Sequence, residues 1–88
     1  MKKVFFNHMM VTMDFLNKLY VDKKINTLHW LNKIRELEIE LENAEKQGLI
    51  SKDNLRMFML VIECKMDEAR ADERIKYEDE RIKRAYGL

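Results

Sequence analysis

The side chains best suited to catalysis or metal binding in this sequence are His8, His29, Cys64 and the single serine, Ser51. A zinc site needs clustered cysteine and histidine ligands, and a di-iron helical bundle uses Glu-x-x-His motifs. Neither histidine has a glutamate three residues before it, and the four side chains are scattered along the chain. The sequence therefore predicts no metal, no cofactor and no catalytic residues, in a chain that is not an enzyme.

The environment of Cys64 indicates a compartment as well as a local structure. Cys64 ends the mostly apolar run Met57–Cys64, which predicts a buried and unreactive thiol. A lone cysteine without a disulfide partner favours a reducing compartment. No uncharged run approaches the ~20 apolar residues that a membrane-spanning helix needs. We expect a soluble, cytoplasmic protein.

The composition favours long amphipathic helices. The 88 residues include no proline and two glycines, with 47% hydrophobic and 38% charged residues. Proline and glycine weaken helix interiors, and disordered chains have fewer apolar residues. We predict an all-α fold with three helices, at about 4–21, 27–47 and 52–86. We expect a single domain, 1–88, made of an apolar N-terminal helix (1–25), a helical hairpin (26–71) and a charged helical extension (72–88).

The hairpin is predicted to turn at Gly48, which suits the left-handed position after a helix, with Ser51 as the next N-cap. Residues whose numbers sum to about 98 should then face each other across two antiparallel helices. The break before the second helix is less defined, with Asp22, Asn26 or Thr27 as its cap. Trp30 lies off the apolar seam, facing the first helix or a partner. That seam steps by three and four residues through Leu28, Leu31, Ile34, Leu37, Leu41 and Ala44.

The third helix contains a heptad repeat. Asp72-Glu73-Arg74-Ile75-Lys76 recurs seven residues later as Asp79-Glu80-Arg81-Ile82-Lys83. A seven-residue offset places equivalent side chains on one stripe. Because the second helix is too short to cover residues 72–88, that segment should extend beyond it, lie along the first helix or pair with another chain. The predicted dimer or extension seam consists of Ala71, Ile75, Ile82 and Ala85.

Residues 34–67 resemble the small aspartyl-phosphatase family that acts on the phosphorylated sporulation response regulator of spore-forming bacteria. The segment Ala44-Glu45-Lys46-Gln47-Gly48-Leu49-Ile50-Ser51 is similar to the family's turn, Ala-x-x-x-Gly-Leu-Thr-Ser. The resemblance implies a helical hairpin that docks on another helical protein such as a response regulator. The family's catalytic motif, Ser-Gln-Glu-Leu-Asp, is replaced by Phe58-Met59-Leu60-Val61-Ile62, so docking without catalysis is expected.

Methionine and phenylalanine are concentrated in the first helix and the start of the third. Methionine repacks easily, so these residues either fill a core or form an adaptable interface. We predict a protein–protein interaction protein, a small helical adaptor, inhibitor or assembly factor, that forms a homodimer and is typical of phage or mobile-element proteins. Its predicted partner-binding residues are Phe5, Phe6, Met9, Met10, Trp30, Phe58 and Met59.

Nucleic-acid binding is the alternative function. The formal net charge is only +1, but basic residues are concentrated near both ends of the sequence. Phosphate contacts require such clustering in space. The candidate contacts are Lys2, Lys3, Lys18, Lys23, Lys24, Lys33, Arg81, Lys83 and Arg84.

Overall fold

The computed structural model describes residues 2–87 as three α-helices. They are α1 (Lys2–Val21), α2 (Thr27–Lys46) and α3 (Lys52–Tyr86). The predicted all-α fold is confirmed, and the helix bounds differ by at most two residues at any end. The predicted domain of residues 1–88 includes Met1 and Leu88, which lie outside the described residues.

Side-chain caps begin α2 and α3. The side chain of Asn26 accepts a hydrogen bond from the backbone N–H of His29, at 2.8 Å, and so caps α2. Ser51 caps α3 in the same way, with its hydroxyl accepting from the N–H of Asn54 at 3.1 Å. Each cap satisfies a backbone donor that the first helical turn leaves free. The predicted role of Ser51 is confirmed, and Asn26 is the cap among the three candidates for α2.

Gly48 ends α2 with a φ angle of 75°. The N–H of Gly48 donates to the carbonyl of Glu45 and that of Leu49 to the carbonyl of Ala44, both at 2.9 Å. This is the Schellman arrangement, in which a left-handed residue lets the chain satisfy the last helical carbonyls. It turns the chain within a few residues, as the sequence predicts.

A second left-handed residue, Lys23, ends α1 with a φ angle of 58°. The N–H of Lys23 donates to the carbonyl of Tyr20 at 3.1 Å, and that of Lys24 to the carbonyl of Leu19 at 2.8 Å. The two helices therefore end in the same hydrogen-bonded motif, although only Gly48 has the residue type that predicts it.

α1 runs parallel to α3 and packs along it as far as Lys76. The Phe6 and Phe58 rings lie 5.8 Å apart near one end, and Asp22 accepts a hydrogen bond from Lys76 at 3.3 Å near the other. α3 has more extensive contact with α1 than with α2. α1 and α3 are therefore packing partners within the chain.

The core lies between the three helices. α2 is antiparallel to both neighbours, since Trp30 at its beginning contacts Tyr20 near the end of α1 and Arg70 in the second half of α3. Trp30 and Arg70 sum to 100, close to the predicted pairing. The buried residues are Met9, Met13, Leu16, Trp30, Ile34, Leu37, Leu41, Ala44, Ile50, Phe58, Ile62 and Ala69.

Three apolar side chains that the sequence assigned to the interior are exposed. Leu28 and Leu31 belong to the predicted α2 seam, but α2 turns its Trp30 and Ile34 face toward α1, which leaves Leu28 67% exposed. Cys64 is also exposed, so the predicted buried thiol is wrong. An apolar run surrounds a helix on all sides, and in this run only Phe58 and Ile62 are fully buried, with Met59 and Val61 partly buried against the core.

The molecule is elongated, with principal extents of 57 × 19 × 16 Å. Its length matches the 35 residues of α3, which at 1.5 Å per residue span about 52 Å. Residues of α3 up to Lys76 lie beside α1, and the turns after it continue past the end of α1. Two of the three arrangements predicted for residues 72–88 are thus observed in the described part of this segment. It lies along α1 as far as Lys76 and then extends beyond the bundle.

Candidate interaction surface

Three of the seven predicted partner-binding residues lie in the core. Met9, Trp30 and Phe58 are fully buried, so the prediction that they form a binding surface is corrected. The third helix of the bundle covers the face that a two-helix hairpin would expose. The other four are half-buried and pack against the core; they are Phe5, Phe6, Met10 and Met59.

Trp30 is held in the core by a specific set of contacts. Its indole N–H donates to the Oδ1 atom of Asn17 at 3.0 Å, and its ring stacks on Tyr20 with centroids 4.0 Å apart. The guanidinium carbon of Arg70 lies 5.6 Å from the ring centroid, within the range of a cation–π contact. Buried tryptophan needs a partner for its N–H, and Asn17 supplies it.

A polar network joins α1 to α3 beside this core. The Lys65 ammonium donates to Asp14 at 3.0 Å, and the Asn17 amide donates to the backbone carbonyl of Lys65 at 3.0 Å. The hydrogen bond to Asp14 raises the pKa of Lys65 above its usual value of 10.5. Both bonds connect α1 to the same turn of α3 and thereby set the parallel register of the two helices.

The exposed apolar residues of α3 form a stripe on the side away from the core. They recur at spacings typical of one helix face, whereas the buried Phe58, Ile62 and Ala69 lie on the opposite face. Leu60 is 62% exposed and Ile75 60% exposed. We call this stripe the outer face of α3, and its residues are Met57, Leu60, Cys64, Ala71, Ile75, Ile82, Ala85 and Tyr86.

The outer face includes the whole predicted seam. Ala71, Ile75, Ile82 and Ala85 are all exposed, and the heptad spacing continues toward the beginning of α3. Sequence reasoning missed Met57, Leu60 and Tyr86 as members of this face. Met57 lies seven residues before Cys64, and Leu60 and Tyr86 lie four residues from Cys64 and Ile82 on the same side of the helix. A shorter exposed apolar stripe, formed by Val4, Val11 and Phe15, lies on α1.

The candidate nucleic-acid contacts do not form one patch. Lys2 and Lys3 begin α1, at the end of the bundle where Phe6 meets Phe58. Arg81 and Arg84 lie at the opposite end, where they line a shallow pocket of 260 Å³ with Lys23, Tyr77 and Glu80. Because α1 and α3 are parallel, Lys2 and Lys3 lie away from the C-terminal basic residues. At the far end, Lys23, Arg81 and Arg84 are brought together with Lys18, Lys24 and Lys83 nearby in sequence.

The side chains best suited to catalysis or metal binding lie apart in the structure. His8 pairs with Glu40 at 3.3 Å on the surface, and His29 is exposed at the beginning of α2. Ser51 is engaged as a helix cap. Over residues 2–87, no three histidine, cysteine or acidic side chains are placed to hold a metal ion. Within the same residues, no helix is both long and apolar enough to cross a membrane.

Comparison of the chain with protein-family models, curated proteins and solved structures finds no match in any of the three. The functional argument therefore depends on the surface of the bundle. The resemblance of residues 34–67 to the aspartyl-phosphatases stays a prediction. In the bundle, Phe58 and Ile62, which occupy the first and last positions of that family's motif, are buried.

Proposed function

We propose that this chain is a non-enzymatic protein-binding protein, a small helical adaptor, inhibitor or assembly factor, which binds through the outer face of α3. One observation supports this most strongly: apolar side chains follow that face from Met57 to Tyr86 although the core lies on the other side of the helix. Large contiguous apolar surfaces on a small protein typically mark an interaction site.

The magnitude of the hydrophobic effect favours an occupied face. Complete burial of an isoleucine or leucine side chain stabilises by about 1.5–3 kcal/mol. Leu60, Ile75 and Ile82 are each about half or more exposed. Burial of each side chain by a partner would therefore contribute a large share of that free energy. The cost of ordering two molecules is offset only when several such side chains are buried together. The face provides several in one row.

The nucleic-acid alternative stays a prediction with weaker support. Only the group around Lys23, Arg81 and Arg84 is brought together, and Glu80 lies in the same pocket. Non-catalytic docking on a response regulator is a particular case of protein binding, and identification of the partner distinguishes it.

The proposal is tested by substituting the outer face. Ile75→Glu combined with Ile82→Glu places two carboxylates on it, whereas Leu28→Glu places one on an exposed apolar position of α2 and serves as the matched control. Light scattering should detect an assembly, either of this chain alone or with a stoichiometric protein from the native host. The assembly should be lost in the double variant and kept in the control. A wild-type chain that is monomeric and without a protein partner contradicts the proposal.

A further inference from the structure

We infer that the occupant of the outer face of α3 is a second copy of the chain, packed antiparallel with its two-fold axis near residues 69 and 70. This inference rests on the proposed function, because it assigns a partner to the same face. Three independent features support it: the heptad positions on the face, the length of α3 beyond the bundle and the arrangement of charges along the face.

The heptad positions define two rows of contact. One row passes through Met57, Cys64, Ala71, Glu78 and Ala85, and the other through Val61, Glu68, Ile75 and Ile82. Adjacent positions within each row are seven residues apart, as two supercoiled helices require. In an antiparallel pair, a residue of one row faces a residue of the other row on the second copy.

One antiparallel register gives each of the two isoleucines an apolar partner and leaves Val61, which is half-buried against its own core, opposite Glu78. When residues whose numbers sum to about 139 face each other, Ile82 packs on Met57 of the second copy and Ile75 on its Cys64. Glu68 then faces Ala71, a small side chain that leaves the carboxylate a path to solvent. Because the axis is two-fold, every pair occurs twice.

The length of α3 fits this register. The turns after Lys76 continue past the end of α1 and lack a neighbouring helix within their own copy. In the register above, these turns lie on residues 53–62 of the second copy, where Met57 and Leu60 are exposed. The projecting end of each copy thereby covers the exposed beginning of α3 in the other, and Ile82 gains a neighbour.

Charges along the face exclude the parallel arrangement. In a parallel pair in register, Glu68 faces Glu68 of the second copy, and Glu78 likewise faces Glu78. Asp67 faces Asp72 of the second copy. Like charges that face each other destabilise a pair of helices. The antiparallel register instead sets Asp67 against Arg74 of the second copy, on both sides of the axis.

Charges also disfavour a shift of the antiparallel pair by one heptad toward the end of α3. When the numbers of facing residues sum to about 146, Glu68 faces Glu78 of the second copy in the contact rows. Beside these rows, Arg74 faces Arg74 of the second copy. Both contacts are repulsive, and each Glu68–Glu78 contact is repeated by symmetry. The register near 139 gives both isoleucines an apolar partner and sets Asp67 against Arg74.

Native Cys64 provides a direct test of this geometry. In the proposed dimer, the two Cys64 residues are displaced by about eleven residues, or about 16 Å along the helix. A disulfide requires Cα atoms closer than about 7 Å, so oxidised wild type should not be cross-linked. Ile75→Cys should cross-link to Cys64 of the second copy and give a covalent dimer on a non-reducing gel. The same substitution combined with Cys64→Ser should give none.

Each remaining outcome overturns the inference. Rapid cross-linking of wild type through Cys64 indicates a parallel pair, and a dimer by light scattering that Ile75→Cys fails to cross-link indicates another face or register. A monomer that captures a different protein, which Ile75→Glu with Ile82→Glu abolishes, removes the second copy but leaves the proposed function. A monomer without any partner removes both. Circular dichroism of each variant controls for folding, since Ile75 is 60% exposed and makes little contribution to the bundle.

Discussion

Asn17 is the side chain that connects all three helices. From α1 it accepts the indole N–H of Trp30 on α2 and donates to the backbone carbonyl of Lys65 on α3, both at 3.0 Å. The indole N–H would otherwise lack a hydrogen bond in the core, whereas the carbonyl of Lys65 lies inside α3 and gains a second donor. One amide therefore satisfies a donor and an acceptor on two different helices.

Substitution of Asn17 should destabilise the bundle although it removes only a small side chain. Asn17→Ala leaves the buried indole N–H of Trp30 without a partner, which costs about 1–3 kcal/mol. Urea unfolding followed by the fluorescence of this single tryptophan measures the change. Asn32→Ala, at an exposed position of α2, is the control and should change stability by less than about 0.5 kcal/mol. Equal effects of the two substitutions would contradict the bridging role.

The Lys65–Asp14 bond predicts a dependence of stability on alkaline pH. Because the pKa of Lys65 is higher in the folded chain than its usual 10.5, the bond stabilises fully below that value. The stabilisation is lost as the pH rises through the folded pKa, where the ammonium loses its proton. The difference in unfolding free energy between wild type and Asp14→Asn should therefore shrink as the pH rises above about 10.5.

A control separates this effect from the titration of other groups. Asp67 pairs with Arg70 at 3.6 Å, and a guanidinium keeps its charge throughout this range. The difference between wild type and Asp67→Asn should stay constant over the same pH interval. A constant difference for Asp14→Asn as well would show that the bond to Lys65 does not contribute.

At the scale of the elements, α1 and α2 end in the same motif with different residues at the left-handed position. Gly48 adopts a φ angle of 75° without strain, whereas Lys23 adopts 58° with a side chain. A left-handed conformation costs a residue with a Cβ atom roughly 1–2 kcal/mol. The end of α1 is thus the more strained of the two, and the network of α1 with α3 holds it in place.

Reciprocal substitutions at these two positions should have opposite signs. Gly48→Ala should destabilise by about 1 kcal/mol, and this cost is conformational because an added Cβ meets no atom within 4 Å. Lys23→Gly should stabilise by on the order of 0.5 kcal/mol, after the greater flexibility of glycine in the unfolded chain is subtracted. Thermal unfolding measures both, with Gly87→Ala at the end of α3 as a control of smaller effect. Destabilisation by Lys23→Gly would contradict the strain at this position.

At the scale of the whole molecule, a long helix carries a short bundle on one side and an apolar face on the other. The bundle uses α1 and α2 to cover the core face of α3 as far as about Lys76. Its outer face stays exposed along a molecule 57 Å long. This division leaves a second surface for assembly without disturbing the first.

The thiol of Cys64 should report this assembly. In the separate chain Cys64 is exposed and should react freely with a thiol reagent. In the proposed dimer it lies under Ile75 of the second copy, so its rate of modification should fall as the protein concentration rises through the dissociation constant. Ile75→Glu with Ile82→Glu should make the rate independent of concentration. A rate that stays constant in wild type, at concentrations where light scattering detects a dimer, would contradict the proposed interface.

Most of the helical structure could be predicted from the sequence because its causes are local. The caps Asn26 and Ser51 and the turn at Gly48 act within a few residues, through backbone donors and acceptors that every helix end leaves free. The heptad stripe through Ile75 and Ile82 is likewise a consequence of helical period alone. These features do not depend on which helices become neighbours.

The tertiary structure decided which apolar residues form the core and which remain at the surface. Trp30 became an interior residue and Cys64 a surface residue, although both lie among apolar neighbours in sequence. A helix with apolar residues on several sides has several faces that could be buried, and only the packing of α1 along α3 selects one. The sequence by itself therefore determined the three helices and their ends, while the tertiary structure determined the exposed outer face of α3 on which the proposed function depends.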